Sequence, residues 1–128
     1  MFTDIHHVGY LVENLDETIA AYERIFGAVL VSRAYSPPTR STNAFVRMGD
    51  TLVELMEPED KGVLGGAKAQ ILHHVAYQVP DLAQAVRELE EKGVEILDKT
   101  PRVNALGWKI VYFNGGERLG AGQHLIQV

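Results

Sequence analysis

The sequence predicts an α+β protein built from two tandem βαβββ modules, closing into a cupped, barrel-like mixed sheet with its helices outside. Three observations carry that expectation. The pattern of one strand, one helix and three strands runs twice along 128 residues. The two runs share residues at a constant spacing. Between them lies a stretch rich in Gly, Pro and charge, as expected of an exposed connection.

The first strand is Ile5 to Val12, "IHHVGYLV", rich in β-formers. His7, Gly9 and Leu11 fall on one face, and His6, Val8, Tyr10 and Val12 on the other. In "ENLDETIAAYERIFG" either Asn14 or Asp16 can cap a helix of about three turns. Ile19, Tyr22, Ile25 and Phe26 stand at helical spacing, and Gly27 supplies the stop. Three short strands follow, "AVLVSRAY", "NAFVRM" and "TLVELM", the last two joined by a turn at Gly49 and Asp50.

The second module opens on "ILHHVAYQV", Ile71 to Val79. Its helix, in "PDLAQAVRELEEKG", starts at Asp81 and stops at Gly93. "VEILD", "WKIVYF" and "QHLIQV" are its remaining strands. A step of 67 residues carries His7 onto His74, Tyr10 onto Tyr77, Val12 onto Val79, Leu15 onto Leu82 and Ile19 onto Val86. Strand, cap and helix face therefore repeat together. We expect a single domain over 1–128, with module one at 1–57, a linker at 58–70 and module two at 71–128.

Composition excludes several classes. No apolar run approaches the roughly eighteen residues of a membrane helix, so no membrane partner is expected. A formal net charge of -5, with scattered Lys and Arg, argues against a nucleic-acid footprint. Small molecules are the expected partners. The N-terminus has neither the basic nor the apolar segment of a secretory signal, and the expected location is cytoplasmic. With no cysteine, thiolate zinc sites are excluded, and any metal must be held by nitrogen and oxygen.

Facing then selects candidates. If Val8 and Val75 turn toward the helices, His7 and His74 turn to the other side of the sheet. "TLVELM" places Val53 and Leu55 toward the helix and Glu54 away from it. In "HLIQV" we group Gln127 with Leu125 on the face opposite Ile126 and Val128, and so match Gln127 to Glu54. Two imidazoles, a carboxylate and an amide oxygen suit a divalent ion such as Zn, Co, Ni, Mn or Fe. A single strand histidine is more often structural, and His6, His73 and His124 are read that way. Lys109, Arg102, Trp108 and Tyr35 are read as ordinary surface or core residues.

The stretches "HHVGYLVENLDETIAAYERIFG", "LHHVAYQVPDLAQAVRELEEKGVEIL" and "GDTLVELMEP" resemble the vicinal oxygen chelate superfamily, the glyoxalase, bleomycin-resistance and extradiol-dioxygenase group. Within it the chain is most similar to the methylmalonyl-CoA epimerases. The resemblance implies metal ligands at His7, Glu54, His74 and Gln127. It also implies an isomerase, epimerase or lyase, like methylmalonyl-CoA epimerase or lactoylglutathione lyase, acting by proton abstraction next to a carbonyl or thioester, with a substrate such as an acyl-CoA, and a homodimer. Glu54 is the candidate base. Such epimerases carry a further acidic residue where Asn43 stands, and a glutamate where Gln127 stands. A metal-free small-molecule binding protein of the bleomycin-resistance type is the alternative.

Overall fold

The computed structural model describes residues 1–128 and divides into two compact units, one of residues 7–73 and one of residues 1–6 with 74–128.

In the unit of residues 7–73 the strands are β1 (Asp4–Leu11, from His7 onward), β2 (Val29–Ser36), β3 (Ser41–Met48) and β4 (Thr51–Pro58), in the sheet order β2-β3-β4-β1. The β1–β4 pair is parallel and the other two pairs are antiparallel. Helix α1 (Leu15–Phe26) connects β1 to β2. Asn14, and not Asp16, is its cap: the side-chain oxygen accepts the Glu17 N–H at 3.0 Å, satisfying one of the orphan donors of the first turn. Gly27 ends the helix in the left-handed conformation, φ 66°, which a β-carbon would oppose. Leu15, Ile19 and Tyr22 pack with Val12, Ala44, Val46, Val53 and Leu55 into one core. Ile25 and Phe26, expected on that stripe, are exposed at 59% and 58%. The buried stripe of α1 ends at Tyr22. The stretch expected to be an open connection contains a 3-10 turn, Lys61–Leu64, which buries Leu64.

The second unit holds β5 (Ile71–Gln78, from His74 onward), α2 (Leu82–Glu91), β6 (Glu95–Ile96), β7 (Arg102–Val103), β8 (Lys109–Asn114), a single turn α3 (Gly116–Leu119) and β9 (Gln123–Gln127). Its strand order is β5-β9-β8-β6, with β7 also paired to β8. Asp81 caps α2 by accepting the Gln84 N–H at 3.1 Å. Leu82, Ala85 and Leu89 pack on Val79, Val111, Phe113 and Leu125. The strand expected over "VEILD" is cut to two residues. From Asp98 on, a side chain replaces the ladder, since the Asp98 carboxylate accepts the Tyr112 N–H at 2.9 Å. That bond keeps the β8 donor satisfied where the neighbouring strand departs.

Candidate active site

In the unit of residues 7–73, β4 alternates cleanly. Val53 and Leu55 enter the core under α1, so Glu54 must emerge on the opposite face. Parallel pairing sets Gly9 beside Glu54 and His7 beside Leu52, which brings the imidazole up to the carboxylate. His7 Nε2 and Glu54 Oε1 are 3.6 Å apart. That is longer than an ordinary hydrogen bond and still well inside ion-pair range. His7 is 2% exposed, and the Glu54 side chain is 13% exposed. The Phe45 ring stands edge-on to His7, 5.0 Å between centroids, and Phe45 is itself the antiparallel partner of Glu54. The carboxylate is thus held among an imidazole and an aromatic ring, with little water. A bare charge is costly there unless it is partnered.

Asn43 lies on the same face of β3, two residues before Phe45. Its side-chain oxygen accepts the Ser41 hydroxyl at 2.7 Å. An amide with its oxygen so engaged offers no base, and β3 adds no second carboxylate to this face.

In the second unit His74 is 2% exposed and its ring stacks on that of His124, 4.0 Å between centroids and 8° from parallel. The assignment of Gln127 needs correction. Leu125 packs under α2 with Leu82 and Ala85. Gln127, two residues on, therefore turns the same way, and its side-chain oxygen accepts the Leu82 N–H at 2.8 Å. It serves the first turn of α2 on the helix side of the sheet, with its oxygen occupied. Module one has the same device, where Glu57 Oε1 accepts the Leu15 N–H at 2.7 Å. Register gives the true counterpart of Glu54. Glu54 pairs with Gly9, and His124 pairs with Ala76, the residue 67 beyond Gly9. His124, read from sequence as structural, holds the place first given to Gln127. The signal was in the sequence: "ELME" at 54–57 and "HLIQ" at 124–127 superpose at a step of 70.

The remaining candidates are placed as follows. His6 stands edge-on to Trp108, with 4.6 Å between centroids. The Tyr35 hydroxyl donates to Glu59 at 2.5 Å, and that phenol, half exposed, is away from His7 and Glu54 in the contacts it makes. Arg102 is not a free surface charge. Its Nε donates to Asp98 at 3.0 Å and its guanidinium lies 4.6 Å from the centre of the Tyr112 ring.

A duplicated βαβββ unit, with a buried histidine on the first strand of each copy facing away from its helix, defines a class of α+β proteins in which the polar groups sit opposite the helices. The chain belongs to the Glyoxalase/Bleomycin resistance protein/Dioxygenase superfamily, whose family model matches residues 6–112. Among curated relatives, the mitochondrial methylmalonyl-CoA epimerase of Dictyostelium discoideum is 29% identical over 120 residues, covering 86% of this chain and 69% of that protein. An ethylmalonyl-CoA/methylmalonyl-CoA epimerase of Cereibacter sphaeroides is 27% identical over 134 residues, covering all of both. The crystal structure of methylmalonyl-CoA epimerase from Mycobacterium tuberculosis superposes with a TM-score of 0.89 at 23% identity, over 98% of this chain and 88% of that one. A Streptomyces coelicolor methylmalonyl-CoA epimerase variant, solved in complex with 2-nitronate-propionyl-CoA, gives 0.87 at 22% identity, over 99% and 98%. These structures share the fold. No helix is long and apolar enough to cross a membrane.

Proposed function

We propose that the protein is an enzyme, an epimerase that moves the proton on the carbon next to the thioester carbonyl of an acyl-CoA such as methylmalonyl-CoA, using a divalent metal ion. The observation that carries this reading is the Glu54 carboxylate set 3.6 Å from the buried His7 imidazole on the sheet face opposite α1. Family membership and relatives named as epimerases support it.

His7, Glu54 and His74 are of the residue types that could hold a metal ion. Their chemistry fits one: two buried imidazoles and a carboxylate, with no thiol in the chain, suit a borderline divalent ion and leave positions open. When bound, such an ion supplies a Lewis acid for the carbonyl oxygen on which charge develops. Glu54 is the base. Its carboxylate accepts the proton from one face of the α-carbon, and inversion is completed when water delivers a proton to the opposite face of the enolate, since β3 presents Asn43 and no second acid there. His7 holds that carboxylate in place, and Phe45 closes the other flank and limits water around it. The substrate follows the relatives named as epimerases, and the homodimer is part of this reading only as what the family resemblance implies. Asn43 supports a second reading, a binding protein of the bleomycin-resistance type, because it removes one acid–base group from the face that the reaction would use.

The test is α-proton exchange. Methylmalonyl-CoA incubated with the protein in deuterated water should lose its α-proton signal by NMR much faster than without protein. No acceleration after loading with cobalt, zinc or manganese would overturn the epimerase reading and favour the binding protein.

A further inference from the structure

Four flat groups stack side by side across the second unit. The strand pairings build the column: Tyr112 on β8 is directly opposite His124 on β9, and β9 lies beside β5, which carries His74. Tyr112 and His124 project away from α2, since their neighbours Val111, Phe113 and Leu125 are packed beneath it, and His74 does so because Tyr77 and Val79, an odd number of residues further on, pack there. His74 lies on His124 at 4.0 Å and 8°, and His124 on Tyr112 at 3.5 Å and 20°. The Arg102 guanidinium covers the outer face of Tyr112 at 4.6 Å. Asp98 locks the outer end. One carboxylate oxygen accepts from Arg102 Nε at 3.0 Å, the other from the Tyr112 backbone N–H at 2.9 Å, and its side chain is only 9% exposed.

A buried imidazole on a strand can still turn about its second side-chain torsion, which is broad and roughly two-fold. Stacking on both faces, by Tyr112 and His74, removes that freedom from His124, because rotation would drive the ring edge into its neighbours, and the His124 ring so fixed limits the His74 ring that lies on it. In the other unit His7 meets Phe45 edge-on and is held instead through Glu54. The two histidines at equivalent repeat positions are therefore oriented by different means.

We infer that Tyr112, clamped by Asp98 and Arg102, is a positioning residue that sets the plane of the His74 imidazole through His124. It touches no reacting atom. The inference rests on the reading of His74 as a metal ligand for its consequence, and on the stack alone for its structural content.

Two readouts on the full chain separate these. In the metal-free protein, the ring carbon-bound protons of His124 and His74 should be shifted upfield by stacking in the wild type and in Tyr112→Phe. Tyr112→Leu should return them toward ordinary positions. In zinc titration, Tyr112→Leu should bind roughly 10- to 100-fold more weakly than wild type, as expected when the support of a ligand is removed, and Tyr112→Phe should bind as wild type does. Tyr112→Ile, a better strand former, replaces Tyr112→Leu should that variant not fold. Unchanged histidine shifts in the aliphatic variant overturn the inference, as does zinc affinity within twofold of wild type. If the wild type itself binds no zinc, the metal reading fails, and the histidine shifts alone decide whether Tyr112 orients the pair.

Discussion

Glu57 Oε1 accepts the backbone N–H of Leu15 at 2.7 Å, and the residue that repeats this bond in the second module, Gln127 to Leu82 at 2.8 Å, is an amide in place of a carboxylate. Both side chains satisfy one of the four donors that a helix leaves unpaired at its start. Gln127→Ala should lower stability to urea by about 1 kcal/mol, the usual cost of removing such a partner. Gln127→Glu keeps the bond and adds a charge at the positive end of α2, which should raise stability by roughly 0.3–1 kcal/mol at low salt. Metal content should be unaffected by either change, because the Gln127 oxygen is engaged with Leu82 on the helix side.

The Glu54 carboxylate is assigned the proton transfer. Glu54→Gln preserves size and removes the base, so α-proton exchange of methylmalonyl-CoA should fall by roughly 10²- to 10⁴-fold. Urea denaturation of the same variant separates this loss from unfolding, and a rate within threefold of wild type would show that Glu54 is not the base.

Tyr22 supplies a pH prediction. Burial pushes its phenol above the ordinary 10.0, with the hydrogen bond to Gln70 opposing that shift in part. Above pH 10 the unfolded chain therefore gives up this proton more readily than the folded one. The sign follows: the contribution is fully present below pH 10 and is lost as pH rises through the folded value. Tyr22→Phe should flatten the alkaline fall of stability, measured as urea midpoints between pH 8 and 11, relative to the wild type.

Gly27 closes α1 at φ 66° with nothing within 4 Å of the position that a β-carbon would take. Space is available and the conformation is what resists. Gly27→Ala should cost about 1 kcal/mol, read as a lowered thermal midpoint, and Gly27→Asn should cost less because Asn tolerates this region.

Most of the fold was legible because periodicity and caps are local. The 67-residue step from His7 to His74 located both first strands, and Asn14 and Asp81 marked both helix starts. Val53 and Leu55 also told correctly which way Glu54 faces. The last strand was misread. Facing there was inferred from Ile126 and Val128, whereas the residue under α2 is Leu125. In a strand of period two that one-residue error exchanges His124 for Gln127. Ile25 and Phe26 were misplaced for a different reason, since helical spacing alone does not say where the packed stripe of a helix ends. The breaking of "VEILD" by the Asp98 carboxylate depends on a residue fourteen positions away, Tyr112, and no local pattern carries it.

The most direct measurement is the metal content of the purified protein by mass spectrometry after reconstitution and removal of free ion, with His7→Ala and Gln127→Ala beside it. The expected result is close to one divalent ion per chain in the wild type and in Gln127→Ala, and its loss in His7→Ala. A wild type that holds no metal, or a His7→Ala variant that holds as much as the wild type, would contradict the metal-dependent epimerase.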